Sequence, residues 1–359
     1  MRVTIKDIAK NSGFSIATVS QVLNGNKKAR ISEETQKKIL KIAKEMNYVP
    51  NLQAISLIKH HSNTLGLIVP DISNQFFCKL AKGVEMEASK YGYSTFFCNT
   101  DDAPSRDAHY LKKMIEQNVA GVIIATAGAD SGSAEEDCFQ LASTYHMPIV
   151  FADRPIPNAG AVSVYFDHER GGYLATKHLI ELGHRKIACL TGYMNLAASK
   201  HRFFGYLKAL QESGIAIDHN LVVEGDFHFK AGYDATKSLL KNGATAIFAC
   251  NDMMAFGVYM CMQDLGLSIP KDLSLVGYDN SSEDMYSMLP ITTINQDANK
   301  VGMHALHTIL HMIEGRDQSV ETMILEPTLL VRGSTAPLLK RAETDVEDDP
   351  NTFPLAEVL

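Results

Sequence analysis

Two kinds of hydrophobic pattern divide the chain. Over residues 1–61 the apolar positions are sparse and helically spaced, whereas from Leu65 onward continuous apolar runs alternate with amphipathic stretches. In the first region Ile5, Ile8, Ala9, Val19, Val22 and Leu23 recur at helical spacing, which predicts two short helices sharing a small core. Thr4 with Asp7 three residues on has the form of a capping box, Gly13 lies in the turn between the helices, and Ser15 is placed to cap the second. Residues 32–46 predict a third helix, with Ser32 as its cap and Ile39, Ile42, Ala43 and Met46 closing the core. Pro50 then interrupts, and Asn51 can cap a further helix over 51–59 that is too short to stand alone.

In the second region the runs 65–70, 93–98, 121–126, 148–153, 186–192, 246–251 and 273–279 read as buried strands. Helices are predicted between them, near 75–91, 105–118, 136–146, 168–183, 200–214, 230–242, 252–266 and 297–314. Such βαβ alternation implies an α/β fold with parallel sheets covered on both faces. Roughly 270 residues of it exceed one ordinary domain and predict two similar lobes. Ligands of such sheets sit beyond the carboxyl ends of the strands, and here also between lobes.

Charge sharpens the division. The formal net charge is −7, yet residues 1–61 carry eleven Lys/Arg against four Asp/Glu, a local balance of +7. A basic head on an acidic body places phosphate binding at one end. The first two helices have the spacing of a helix-turn-helix, whose second helix can enter a DNA major groove, and Ile16, Ala17, Thr18 and Gln21 point away from the shared core. The six cysteines show no CxxC spacing and read as buried, reduced thiols rather than as disulfides or a metal site. No run of 18 apolar residues predicts a membrane span, and the N-terminus has no apolar signal segment, so a cytoplasmic protein is expected. Enzyme signatures are absent: there is no GxG pair, no GK[ST] loop, and His168-Glu169 lacks the second His of a zinc-protease helix. No catalytic residue, cofactor or metal ligand is assigned. Residues 340–359 hold six acids and two prolines and are expected to form a disordered tail.

The whole chain to about residue 335 resembles the LacI/GalR family of bacterial transcription regulators. The resemblance rests on TIKDIAK, ATVS and VLNG near the N-terminus, then NYVPN, PDISNQFF, GHRKIACLTG, CNDMMAFG, VGYDN and LPITTINQ in order. Within the family the texture is nearest to the ribose and purine repressors, through the segment Gly225–Tyr233. It implies a helix-turn-helix headpiece over 1–48, a hinge helix over 49–61 and a two-lobed core like periplasmic sugar-binding proteins over 62–335. Lobe 1 would take about 62–165 and 295–323, lobe 2 about 166–294 and 324–335, leaving 336–359 as the acidic tail.

The resemblance also implies roles. Ile16 and Ala17 match base-reading positions, with Gln21 standing where many members have Arg, a change that favours adenine or a single hydrogen bond over bidentate contact with guanine. Ser15, Thr18, Ser20 and Asn24 suit phosphate contacts, and Thr4, Arg30, Asn51 and Ala54 complete the DNA-facing set. Leu57 matches a hinge leucine wedged into the minor groove, while Ile55 replaces an Arg common there. Pairing of two hinges requires a homodimer on a pseudo-palindromic double-stranded operator. For the effector, Asp153, Arg202, Asn251, Asp279 and Gln296 match polar pocket positions, with Phe76, Phe77 and Phe227 as aromatic walls. A pentose, ribose first, is the expected effector, with a purine or another sugar as the alternative. Control by a protein partner is the further alternative, opposed by the retention of Arg202 with Asp279.

Overall fold

A computed structural model describes residues 3–24, 31–49, 62–128, 134–156, 160–281, 290–315 and 321–338. The chain separates into two units, residues 1–62 and 63–359.

Among its described residues the first unit holds three helices, α1 (Ile5–Ser12), α2 (Ile16–Leu23) and α3 (Glu33–Glu45). The capping box closes as the sequence predicts. Thr4 N donates to Asp7 Oδ2 at 2.8 Å, and Asp7 N donates back to Thr4 Oγ1 at 3.4 Å. Gly13, at φ 77°, ends α1 in the left-handed region, where a residue without Cβ turns the chain at little cost. Ser15 and Ser32 cap the next two helices through the amides of Thr18 and Thr35. Ile8, Ala9, Val19, Ile39 and Ala43 are buried together, and Ile5, Val22, Leu23, Ile42 and Met46 pack around them.

Among its described residues the second unit contains two six-stranded sheets. In chain order its elements are β1 (Thr64–Val69), α4 (Gln75–Lys90), β2 (Ser94–Asn99), α5 (Pro104–Glu116), β3 (Gly121–Ile124), α6 (Ala134–Thr144), β4 (Ile149–Ala152) and β5 (Ser163–Phe166). There follow α7 (His168–Glu181), β6 (Ile187–Thr191), α8 (Ala197–Glu212), β7 (Val222–Glu224), α9 (Phe229–Lys241), β8 (Ala246–Ala249), α10 (Asp252–Asp264) and β9 (Ser274–Tyr278). The last elements are β10 (Thr292–Asn295), α11 (Ala298–Glu314), β11 (Met323–Leu325) and β12 (Thr328–Leu330). One sheet runs β11-β5-β4-β3-β1-β2 and is parallel throughout. The other runs β12-β10-β9-β8-β6-β7, with only β12 antiparallel. The chain therefore passes between the halves three times, after β5, after β10 and after β11. Buried Val, Ile, Leu and Ala side chains fill both faces of the first sheet and the core around the second.

The seven long apolar runs all lie in strands, but β5, β7, β10, β11 and β12 escape the pattern. Three are only three residues long, too short to show a period. β10 reads TTIN, yet Thr292 and Thr293 are fully buried, because each hydroxyl finds a partner from another segment. The cysteines need one correction: all six are free, but Cys78 is exposed, lying on the solvent side of α4 with its Sγ directed at the Ile72 carbonyl. Among the described residues no helix is long and apolar enough to cross a membrane.

Candidate functional site

Strand ends build the polar centre of the second unit. Asp153 follows β4, Asn251 follows β8, Asp279 follows β9 and Gln296 follows β10, while Arg202 projects from α8. All five are buried, with Arg202 only 3% exposed. Arg202 organises them. Its guanidinium donates to the Cys250 carbonyl at 2.6 Å, lies 3.7 Å from Asp279 Oδ1 and stacks 4.0 Å from the centre of the Tyr278 ring. Gln296 Nε2 donates to the same Asp279 oxygen at 2.8 Å. Asn251 works in two directions: its Oδ1 caps α10 at Met254 N, and its Nδ2 donates to the Phe227 carbonyl at 2.8 Å.

His168 ties the two halves of this cluster. Arg202 Nε faces His168 Nδ1 at 3.4 Å, which leaves Nε2 as the protonated nitrogen, donating to the Asp153 carbonyl at 2.8 Å. Burial first, and the Arg202 charge second, push the His168 pKa well down, so this imidazole stays neutral. Burial raises Asp153 to about 6 despite Arg202 and Arg154. Asp279 is raised by the same cause, with Arg202 and Gln296 opposing. Burial works against the Arg202 charge too, but Asp279, Tyr278 and Asp153 more than offset it.

The backbone is strained here. Asp153, Phe227, Asp279 and Asn280 all have positive φ, at 64°, 68°, 94° and 55°. Such conformations cost of order 1–3 kcal/mol each and persist where surrounding bonds impose them. Phe227, a bulky residue in this region, is held by Asn251 and by space left at Gly192, where an added Cβ would meet the ring at 2.0 Å. Gly172 is equally constrained: a Cβ there would lie 2.0 Å from the Arg202 carbonyl, so its absence lets α7 and α8 close together and sets Arg202 in place.

A cleft open to solvent is lined by Asp71, Ser73, Asn74, Phe77, Asp102, Arg154, Phe227, His228 and Met253. Of the eight expected pocket residues only Phe77 and Phe227 line it, and the five polar ones lie buried. Arg154 connects the two zones, with its guanidinium 5.3 Å from the Phe77 ring and 6.0 Å from that of Phe227, while Arg202 lies 5.8 Å from Phe227. Phe76 meets Phe77 edge-on at 5.2 Å and packs into the core beneath, so it supports the wall rather than lining it.

Sequence reasoning missed Arg154, His168, Tyr278 and Asp252. Arg154 had a visible signal, a second charge directly after a buried strand. His168 stands out in the sequence only through His168-Glu169, an incomplete metal motif. Asp252 is buried and raised to about 7, chiefly by burial and then by Asp279. It accepts from Thr293 Oγ1 at 2.8 Å and from Ser281 N at 2.6 Å, which holds the loop carrying Asp279.

On the headpiece, Thr4, Ser15, Ile16, Ala17, Gln21 and Asn24 are among the described residues, as are Thr18 and Ser20, and Ile16, Ala17 and Gln21 are exposed. Ile16, at 47% exposure, is a large aliphatic side chain offered to solvent at the first turn of α2. The hydroxyl of Ser15 meets that of Thr18 at 2.9 Å, and Asn24 Nδ2 donates to Ser20 Oγ at 3.2 Å. Arg30, Asn51, Ala54 and Leu57 lie outside the described residues.

Residues 62–332 match the family described as periplasmic binding proteins and sugar binding domain of LacI family. Residues 4–51 match bacterial regulatory proteins, lacI family. The HTH-type transcriptional regulator DegA of Bacillus subtilis is 35% identical over 94% of this chain and 99% of its own. The HTH-type transcriptional repressor PurR of Vibrio atlanticus is 35% identical over 93% and 99%. Among solved structures, a LacI family regulator from Enterococcus faecium with bound ribose has a TM-score of 0.70 at 33% identity, covering 77% of this chain and all of that one. The lac repressor dimer bound to operator and an anti-inducer has a TM-score of 0.83 at 27% identity, covering 94% and 100%. The chain belongs to the LacI family of bacterial transcription regulators.

Proposed function

We propose that this protein is a cytoplasmic, homodimeric repressor whose operator affinity is set by a small neutral polyol, a pentose of the ribose type, bound at the buried polar cluster beside the cleft of the second unit. One observation carries the effector class. Asp153 Oδ1 and Gln296 Oε1 are buried acceptors with no hydrogen-bond partner among the described residues. An unmet buried acceptor costs about 1–3 kcal/mol, which a ligand hydroxyl recovers by donating to it. Both acceptors belong to the cluster that Arg202 organises, beside the Phe227 ring, and a sugar has both the hydroxyls and the apolar face such a site asks for. The relative that holds ribose supports the same reading. Aromatic walls also fit a purine, which is the second reading.

On the DNA side, Ile16, Ala17 and Gln21 read base edges, with Ser15, Thr18, Ser20 and Asn24 on phosphates, and Leu57 wedges the minor groove from the hinge. The exposed Phe96 and Phe97 on edge strand β2, with Met86 on α4, offer the apolar surface that a second copy would cover. The effector moves the operator equilibrium only by its differential affinity for two shapes of the core.

The test is a calorimetric titration of the full chain with ribose, other pentoses, hexoses and hypoxanthine, followed by operator binding with and without the hit. Saturable ribose binding that alters operator affinity supports the proposal. Tight hypoxanthine binding with no response to any sugar replaces it with the purine reading.

A further inference from the structure

We propose that Asp71, Asp102 and His228 form a divalent transition-metal site across the mouth of the cleft. Asp71 lies in the β1–α4 loop and Asp102 beyond β2, both in the first half, while His228 precedes α9 in the second. One donor atom from each lies within 4.8 Å of the other two, and Asp102 Oδ2 is already 3.3 Å from His228 Nε2. Zinc holds nitrogen and oxygen donors at about 2.0–2.2 Å in tetrahedral array, which separates neighbouring donors by roughly 3.3–3.5 Å. One edge of the tetrahedron therefore stands at its required length, and the other two close by a shift of the Asp71 side chain, whose two oxygens otherwise accept from the amide and hydroxyl of Ser73.

Charge points the same way. Two carboxylates converge here, the Asp71 charge acting on Asp102, and a bound dication would offset both. Arg154 also acts on Asp102, but its hydrogen bond goes to the Thr126 carbonyl and its guanidinium lies over the Phe77 and Phe227 rings, 5.3 Å and 6.0 Å from their centres. The donor set of one nitrogen and two carboxylate oxygens suits zinc, cobalt or nickel, whereas calcium and magnesium prefer oxygen throughout. Three protein ligands at an opening to solvent leave the fourth position to water. Local hydrogen bonds already position the first-half ligands. Ser73 N donates to Asp71 Oδ1 at 2.8 Å, and the Asp102 amide donates to the Pro70 carbonyl at 2.9 Å. The His228 backbone is anchored too, its amide donating to Asp226 Oδ1, while its side chain can turn toward the metal.

Such an ion would join the two halves directly over the cleft. Resting on the effector reading above, bound metal then favours the closed, sugar-holding shape and slows release of the sugar, and by reciprocity the sugar tightens the metal.

Two titrations of the full chain test this. In the first, zinc is added to sugar-free protein by calorimetry and cobalt by visible absorption. One equivalent is expected for the parent and for Cys78→Ser, a control for the exposed thiol, and one fewer for His228→Ala and Asp102→Asn. Unchanged stoichiometry in both of those variants overturns the site, and so does the absence of saturable binding in the parent. The second measures ribose affinity with zinc and with chelator. An affinity about tenfold tighter with zinc in the parent, and none in His228→Ala, supports the latch. Metal binding without that change overturns the latch but keeps the site. Failure of ribose to bind at all counts against the effector reading, while the first titration still decides the metal.

Discussion

The headpiece and the cleft reach recognition by opposite routes. In the headpiece the bonds that place the exposed face are local: Thr4 to Asp7, Ser15 to Thr18, Asn24 to Ser20, all three or four residues apart. Around the cleft and its buried cluster they are distant, Arg202 reaching back 34 residues to His168 and forward 48 to Cys250, and Lys79 reaching 201 residues to the Asn280 carbonyl. A face built locally can change its exposed side chains with little effect on folding. A buried charge cluster cannot, because each group is what makes its neighbours tolerable. The contrast is open to attack at both ends.

Its strongest form is Arg202→Ala. The substitution leaves Asp279 buried without its paired cation and Asp153 with Arg154 alone, and breaking such a pairing costs about 3–5 kcal/mol. Chemical denaturation should show a loss of that size, together with loss of ribose binding. Arg202→Lys keeps the charge but not the planar fork, so it should recover part of the stability and little of the affinity. A near-neutral Arg202→Ala would mean that the cluster is not held by charge.

The headpiece counterpart is Ile16→Ala or Gln21→Ala. Both side chains are exposed, so the melting of either variant should shift by no more than about 0.5 kcal/mol. Operator affinity should nonetheless fall by about 1–3 kcal/mol, read by titration of labelled duplex. A drop in stability matching the drop in affinity would show that these residues fold the headpiece rather than read DNA.

The same contrast explains what the sequence disclosed. Thr4, Ser15 and Ser32 declare their helices because a cap and its amide are three residues apart, so the signal fits in a short window. The seven apolar runs declare the inner strands for a similar reason. At the site, Asp153, Asn251 and Asp279 were visible as polar residues closing apolar strands. Invisible were the facts that need the fold: that Arg202 meets His168, that Asp252 braces the loop of Asp279, and that Phe76 turns into the core. β10 was missed because burial of Thr292 and Thr293 depends on partners supplied by Asp252, Arg332 and Thr335.

Proton binding gives a milder test of the buried cluster. Asp153 is raised from its ordinary range to about 6, chiefly by burial. The folded state therefore holds the proton more tightly than the unfolded state. The stability this contributes is complete below about pH 4 and is lost as pH rises through about 6. A sugar hydroxyl that donates to Asp153 prefers the ionised form, so ribose affinity should run the other way. At pH 5 about one carboxylate in ten is ionised, and affinity should be about tenfold weaker than at pH 7. Asp153→Asn should flatten that profile. An unaltered profile in the variant would place the sugar elsewhere.

The smallest effect tests whether the headpiece is as local as its bonds suggest. Ser15 Oγ accepts from Thr18 N at 3.1 Å and caps a helix of only eight residues. Replacing an N-cap Ser by Ala costs about 1 kcal/mol, and in so short a helix the first turn, which carries Ile16, Ala17 and Thr18, frays first. Headpiece melting and operator affinity should therefore fall together by about that amount. Ribose affinity should not move, since the second unit has its own core. The magnitude decides the role of the hydroxyl. A fall in operator affinity well beyond the fall in stability would mean that Ser15 Oγ also touches a phosphate, and that one side chain both caps the reading helix and sets its register on the duplex.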